Sequence, residues 1–137
     1  MFGRNKEQEK EEYKFDSEYM GGHKLYPKKK DTDVLIFEDR IVLKKLDITI
    51  PFEAIRNIEN SSAERLTKTR MLLTPFFLGF FWKKDYHYTV IDYNDGLDDQ
   101  SIVLDFHRKM EKAQQIIYQK MVKQSLVFRN INGGLTK

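Results

Sequence analysis

Cysteine is absent from the 137-residue chain. That absence excludes a disulfide framework, a thiolate nucleophile and a cysteine-ligated metal site. The first residues, MFGRNKEQEKEEYK, also lack the apolar stretch of a secretory signal and are dense in charge instead. We therefore expect a cytoplasmic protein. The length is that of one domain, which buries roughly two-thirds of its unfolded surface without needing cross-links.

Long hydrophobic runs are also lacking. Residues 71–82 carry no charge and include four phenylalanines, but as a helix they would measure only about 18 Å, against a hydrocarbon core of about 30 Å. We do not expect this run to span a membrane. Either its side chains fill one end of the core, or they form an exposed surface for a second subunit, a protein partner or an anionic membrane. The aromatic and basic residues of this candidate interaction surface are Arg70, Phe76, Phe77, Phe80, Phe81, Trp82, Lys83 and Lys84.

The excess of positive charge is small. The net charge is +3, and residues 1–19 hold four basic and six acidic residues, which leaves +5 on the remainder. This is too little to predict nucleic-acid binding. Residues 1–18 are poor in apolar side chains, so we expect a disordered charged tail there. Lys28, Lys29 and Lys30 form a basic run after Pro27, which is either a solvated loop or a site for an anionic head group.

Short β-type segments follow the basic run. Residues 34–37, 40–44 and 46–52 are rich in Val, Ile, Leu and Phe and are separated by polar pairs, which is the spacing of an antiparallel meander. A short strand is also expected near residues 23–26, and a turn of helix near residue 53 leading into another strand. The clearest hairpin joins residues 86–93 to residues 100–106 through Asp95-Gly96.

One amphipathic helix closes the pattern. Apolar side chains recur at steps of four, three, four and four from Phe106 through Met110, Ala113, Ile117 and Met121, the period of a helix with one buried stripe. We expect the helix to end near Gln124, with a flexible tail over residues 126–137. The sequence therefore predicts a mainly β domain over residues 19–125, capped by a C-terminal helix.

No arrangement of residues indicates catalysis. His23, His87 and His107 are scattered without metal-ligand spacing, and no serine has the context of a nucleophile. The acidic turn around Asp95 places apolar residues at the first and twelfth positions of a calcium loop, where ligands are required. No phosphate-binding glycine motif occurs. We predict a protein that is not an enzyme, with no catalytic residue, cofactor, metal site or small-molecule substrate.

Several segments together resemble a known family. They are YMGGH at 19–23, IPFEAI at 50–55, ERLTKTRMLL at 64–73, WKK at 82–84 and YTVIDYNDG at 88–96. The chain resembles, over about residues 19–123, prokaryotic proteins with a pleckstrin-homology-like (also GRAM-like) domain. The resemblance implies a seven-stranded, strongly bent antiparallel barrel capped by the helix, and a module that binds phospholipids or proteins. The sequence KKKDT at 28–32 departs from the eukaryotic phosphoinositide signature, because no arginine follows the lysines.

Two functions are consistent with these features. In the first, a non-enzymatic module binds a protein partner or a second copy of itself, with the aromatic residues supplying affinity and the lysines steering the encounter. In the second, a peripheral membrane adaptor binds anionic phospholipid head groups through Lys28, Lys29 and Lys30. We expect no nucleic-acid partner in either case.

Overall fold

The computed structural model describes residues 10–62, 66 and 86–132, and the side chains among them up to residue 125. Seven strands form one antiparallel sheet in the order β4-β3-β2-β1-β7-β6-β5. The strands are β1 (Tyr13–Gly21), β2 (Lys30–Ile36), β3 (Arg40–Leu43), β4 (Ile48–Pro51), β5 (Ile55–Ser62), β6 (His87–Asn94) and β7 (Asp99–Asp105), and helix α1 (Met110–Asn132) follows them. The predicted fold class, mainly β with one C-terminal helix, is confirmed.

Alternating apolar residues fix which face of the sheet is buried. In β4, Ile48 and Ile50 point into the core while Thr49 is exposed, and the opposing Leu43 and Ile41 of β3 are also fully buried. This is the two-residue period expected of a half-buried strand. The strand that was predicted from Leu46 begins at Ile48, because residues 44–47 turn the chain between β3 and β4.

Helix α1 covers the inner face of the sheet. Ala113 and Ile117 are fully buried in the main core, and Met110 and Met121 pack against its edge. The predicted apolar stripe is therefore confirmed from Met110 onward, and Ile116 widens it. Phe106, which was predicted to begin the stripe, is buried but lies before the helix. A polar bond adds to this packing, since Gln114 Nε2 donates to Thr89 Oγ1 of β6 at 2.8 Å.

Both predicted tails were too long. Residues 13–18, assigned to the disordered tail, belong to β1, where Phe15 and Ser17 are buried and pair with β2. Lys14, Asp16 and Glu18 alternate with those inward residues, so the charges lie on the opposite side of a regular strand. At the other end, α1 continues to Asn132, which moves the boundary that was predicted at residue 126. The strand predicted at residues 23–26 is a single bridge between His23 and Tyr26.

The described strands form an open sheet and not a closed barrel. β4 and β5 are consecutive in the chain but lie at opposite edges, and only the short 3-10 turn Phe52–Ala54 separates them. The four residue-to-residue steps from Pro51 to Ile55 span roughly 14 Å at most, so the sheet must curl strongly to bring its two edges together. Phe52 is buried beneath this junction. Strand β4 ends at Pro51, which has no N–H with which to continue a ladder.

A smaller cluster lies on the other face of the sheet. Met20, Tyr88, Val90 and Val103 project away from the main core and pack with Leu66, which is fully buried. The sheet is thus apolar on both faces near β1, β6 and β7. Within the described residues, no helix is both long enough and apolar enough to cross a membrane.

Candidate functional site

Three loops meet at one end of the sheet. In an antiparallel sheet, the connections β1–β2, β3–β4 and β6–β7 all leave from the same end. They consist of residues 22–29, 44–47 and 95–98. We call this end the loop end. Within the described part of the chain, it contains both the basic run and the acidic turn noted in the sequence.

A basic pocket opens between the first two of these loops. Its volume is about 670 Å³. Lys28, Lys29 and Lys30, the predicted anion site, line one wall, and Lys45 with Leu46 and Asp47 lines the other. The structure therefore brings the three predicted lysines together with a fourth from the β3–β4 turn.

Lys45 is the site residue that sequence reasoning missed. Its backbone N–H donates to Thr32 Oγ1 at 3.0 Å, which holds the β3–β4 turn against the start of β2. The signal was present, because two lysines separate two short strands of a meander. In such a meander, alternate turns lie at the same end of the sheet.

The pocket has an excess of positive charge. Lys29 Nζ lies 3.3 Å from Glu18 Oε2. For Lys28, Lys30 and Lys45, the described residues provide no ion pair within 4.0 Å, and all three side chains are exposed. Among the described residues, Asp47 is the one carboxylate that lines the pocket. Three ammonium groups thus remain available for an anion from solution.

The β1–β2 loop is held in shape by hydrogen bonds. The backbone N–H of His23 donates to Tyr19 Oη at 2.9 Å, and that hydroxyl donates to the carbonyl of Tyr26 at 2.5 Å. The N–H of Leu25 donates to His23 Nδ1 at 3.0 Å. His23 is therefore an acceptor at Nδ1, with its ring buried against Tyr26 at a centroid distance of 5.1 Å. The loop wall of the pocket is preorganised.

Burial changes the titration of both rings in this network. Desolvation lowers the pKa of His23 from 6.5, with a smaller opposing effect from Asp95 and a further lowering by Lys24. The ring is accordingly neutral at physiological pH, as the hydrogen bond to its Nδ1 requires. Desolvation raises the pKa of Tyr19 to about 12, partly opposed by the hydrogen bond from His23, so the hydroxyl keeps its proton and its donor role.

The β6–β7 turn uses its own carboxylate. Asp95 Oδ1 accepts the N–H of Asp98 at 2.7 Å and that of Leu97 at 2.8 Å, while Gln100 Nε2 donates to Oδ2 at 2.9 Å. The hydrogen bonds from Asp98, Gln100 and Leu97 lower the pKa of Asp95 to about 2. The Asp95 side chain thus accepts hydrogen bonds from its own turn and stabilises the hairpin connection. The described residues contain no group of three or more His, Asp or Glu side chains placed to hold a metal ion.

Two polar contacts join the β6–β7 turn to the β1–β2 loop. Gln100 Oε1 accepts the N–H of Lys24 at 3.0 Å. Lys24 Nζ also lies 3.7 Å from Asp98 Oδ1. The β1–β2 loop and the β6–β7 turn are therefore fixed side by side. The basic pocket lies on the other side of the β1–β2 loop, next to the β3–β4 turn.

The aromatic and basic surface predicted from the sequence lies outside the described residues. This applies to all eight of its members, which are Arg70, Phe76, Phe77, Phe80, Phe81, Trp82, Lys83 and Lys84. The hypothesis of a protein partner or a homo-oligomer bound through this surface stays a prediction. The other two histidines lie apart: His87 contacts Asn60 across the β5–β6 pair at 2.6 Å, and His107 lies 3.5 Å from Asp105 after β7.

Comparison with known proteins gives no relative. No family model, no curated protein and no solved structure matches this chain. The resemblance to pleckstrin-homology-like domains therefore stays a prediction.

Proposed function

We propose that the protein is a non-enzymatic, cytoplasmic binding module that attaches to membrane surfaces by holding anionic phospholipid head groups in the basic pocket. The observation that supports this most is that Lys28 in the β1–β2 loop, Lys30 at the start of β2 and Lys45 in the β3–β4 turn line one cavity without ion-pair partners among the described residues. A solvated charged loop would not require a second loop to add a lysine to the same cavity. The pocket is open, which suits a ligand presented by a large surface.

The chemistry of the pocket favours charge over stereochemistry. The cationic residues described in its lining are all lysines, which act as compact point charges, whereas the planar fork of an arginine would bind a phosphate in a bidentate manner. We therefore expect attraction to anionic lipids as a class, with little discrimination among head groups of equal charge. Each lysine near an anionic surface contributes about 1 kcal/mol, and the attraction weakens as salt shortens the screening length.

Co-sedimentation with vesicles tests this proposal. The full chain is mixed with vesicles of phosphatidylserine in phosphatidylcholine, or of phosphatidylcholine alone, at about 50 mM and about 500 mM salt. We expect binding to the anionic vesicles at low salt. The triple variant Lys28→Ala, Lys30→Ala, Lys45→Ala should bind on the order of 100-fold more weakly, from about 1 kcal/mol per lysine.

A triple variant elsewhere on the molecule provides the matched control. Lys10, Lys109 and Lys112 are exposed and lie away from the loop end, so replacing them with alanine removes the same net charge. Binding that falls equally in both triple variants would show a response to overall charge and not to the pocket. Absence of vesicle binding at low salt would overturn the membrane proposal. If the sedimentation mass then rose with protein concentration, self-association would become the favoured function.

A soluble phosphate compound identifies the source of the ligand. Glycerol phosphate presents the same anion without a bilayer, and its binding is measurable by calorimetry. Because the pocket is open and lacks a bidentate donor, we expect weak binding to the free compound and much tighter binding to vesicles. Tight binding to glycerol phosphate without binding to vesicles would make the site a receptor for a soluble anion.

A further inference from the structure

We infer that Leu25 and Leu97 are a hydrophobic insertion pair that enters the head-group and acyl boundary of the membrane when the basic pocket engages it. The inference rests on the proposed function, and it adds a second, apolar attachment to the electrostatic one. It also assigns a role to the β6–β7 turn, which does not line the pocket.

The exposure of these two side chains is unusual. Leu25 is 77% exposed and Leu97 is 91% exposed. The other large apolar side chains exposed in the described part of the chain are Tyr13, Tyr118 and Val122, at 39–58%. Tyr118 and Val122 lie on α1, and Tyr13 begins β1 at the opposite end of the sheet from the three loops. The two most exposed leucines therefore both lie at the loop end.

Hydrogen bonds fix the two loop tips beside each other. Leu25 follows Lys24, whose N–H and Nζ contact Gln100 and Asp98 of the other hairpin. The N–H of Leu97 donates to Asp95, whose carboxylate also accepts from Gln100. Gln100 thus bridges the two tips. A paired, preorganised projection loses less conformational entropy on insertion than two mobile loops would.

The acidic residues of the β6–β7 turn do not dominate the local charge. Asp98 lies 3.7 Å from Lys24 and Asp99 lies 3.4 Å from Arg56, so two of the three carboxylates have a cationic neighbour. Asp95 keeps its charge, and its oxygens accept hydrogen bonds from within the turn and from Gln100. The lysines of the pocket remain, and Leu25 lines that pocket directly beside them. Because Lys28, Lys30 and Lys45 have no ion pair among the described residues, the pocket side of the loop end complements an anionic surface.

A bilayer is the partner that uses both kinds of group at once. Attachment by lysines alone is reversible and weak in salt, and apolar side chains buried at the boundary add a contribution that salt does not screen. We expect residual binding of the wild-type chain at high salt that depends on the leucines. Replacing both with serine should reduce that residual binding by roughly tenfold per side chain.

Insertion is tested directly with an environment-sensitive fluorophore. The chain has no cysteine, so Leu97→Cys and Leu25→Cys each provide one labelling position. Tyr118→Cys, on the exposed side of α1, is the matched control. We expect the labels at positions 25 and 97 to shift to the blue and to become protected from an aqueous quencher when anionic vesicles are added. The label at position 118 should not change.

The outcomes separate this inference from the proposed function. Vesicle binding that is lost with the pocket lysines, without any blue shift at positions 25 and 97, would overturn the insertion pair and leave head-group binding intact. No vesicle binding at low salt would overturn both. A blue shift that appears without vesicles and grows with protein concentration would show that a second copy of the chain covers the leucines, and it would also overturn the inference.

Discussion

The loop end and the helix-covered core are built on opposite principles. In the core, Tyr19, Phe52, Phe106 and the aliphatic side chains around them are almost completely buried, and α1 covers them. At the loop end, lysines and leucines are exposed, while hydrogen bonds hold the backbone of two loops in place. The buried core therefore contributes most of the free energy of folding. The loop end instead presents charged and apolar side chains to solvent on a backbone that hydrogen bonds hold in place. Substitutions should therefore separate cleanly into effects on folding and effects on binding.

The largest effect is expected from placing a charge in the core. Ile117→Asp buries an unpaired carboxylate beneath the sheet, at a position with no exposed surface. We expect it to lower the free energy of unfolding by more than about 4 kcal/mol, measured by urea denaturation. Tyr118→Asp, one residue along and exposed, is the control and should cost less than about 0.5 kcal/mol.

A milder variant keeps this test informative if Ile117→Asp does not fold. Ile117→Ala should cost about 2–5 kcal/mol through the cavity that it creates. Its folded fraction should bind anionic vesicles as the wild-type chain does. A loss of affinity in that folded fraction would break the separation between core and loop end.

The next effect concerns the glycine at the base of the β1–β2 loop. Gly22 has φ +112°, and a Cβ built there would lie 2.0 Å from the carbonyl oxygen of Ser101 in β7. Gly22→Ala must therefore move the loop or the strand, and we expect a cost of about 3 kcal/mol with weaker vesicle binding. Gly96 has a similar φ of +99° but open space around it. Gly96→Ala should cost only about 1 kcal/mol. Equal losses in the two variants would show that backbone strain, and not the close approach to β7, sets the requirement for glycine.

The smallest effect is a pH dependence at the loop end. Because burial lowers the pKa of His23 below 6.5, the unfolded chain takes up a proton on this ring at a higher pH than the folded chain does. Its contribution to stability is complete above about pH 6.5 and is lost as the pH falls through the lower, folded pKa. Asp95 opposes the lowering and Lys24 reinforces it. The neighbouring Tyr19, whose pKa burial raises to about 12, keeps its proton throughout this range.

His23→Asn isolates the contribution of this ring. An asparagine Oδ1 can accept the N–H two residues along, as His23 Nδ1 accepts that of Leu25, but it does not titrate. We expect the Tm of the wild-type chain to fall more steeply than that of His23→Asn between about pH 6.5 and pH 5. Parallel curves would show that the ring is not the titrating group.

The sequence predicted those parts of the fold that depend on local pattern. The period-two alternation of β4, the Asp95-Gly96 hairpin and the apolar stripe of α1 are each confirmed, because each is determined by neighbours within a few residues. The average composition of residues 1–18 hides β1, because the alternation of inward and outward side chains begins only at Tyr13. The placement of β4 and β5 at opposite edges of the sheet depends on contacts between distant segments, and no local pattern reports them.

The candidate site was predicted only in part, because some of its residues come together only through contacts between distant segments. Lys28, Lys29 and Lys30 are visible as a run, whereas Lys45 joins them only when β2 and β3 are paired in register. The placement of Leu25 and Leu97 in neighbouring loops depends on β1 lying next to β7, two strands that are far apart in the sequence. Single exposed leucines in turns carry no signal in a sequence, because isolated apolar residues on surfaces are common.

The pairing of β1 with β7 also bears on how the chain folds. Residues up to Pro51 can form β4-β3-β2-β1 as a meander of local contacts, and β5-β6-β7 can form a second one. The seam between them joins Glu18 to Asp105, across most of the chain, so closing it costs loop entropy before any contact is gained. During synthesis on a ribosome, one edge of β1 would therefore remain unpaired until β7 has emerged. We expect the folding rate to be limited by the formation of this seam. The β1–β2 loop with its lysines and the β6–β7 turn with Leu97 would come together only in that last step.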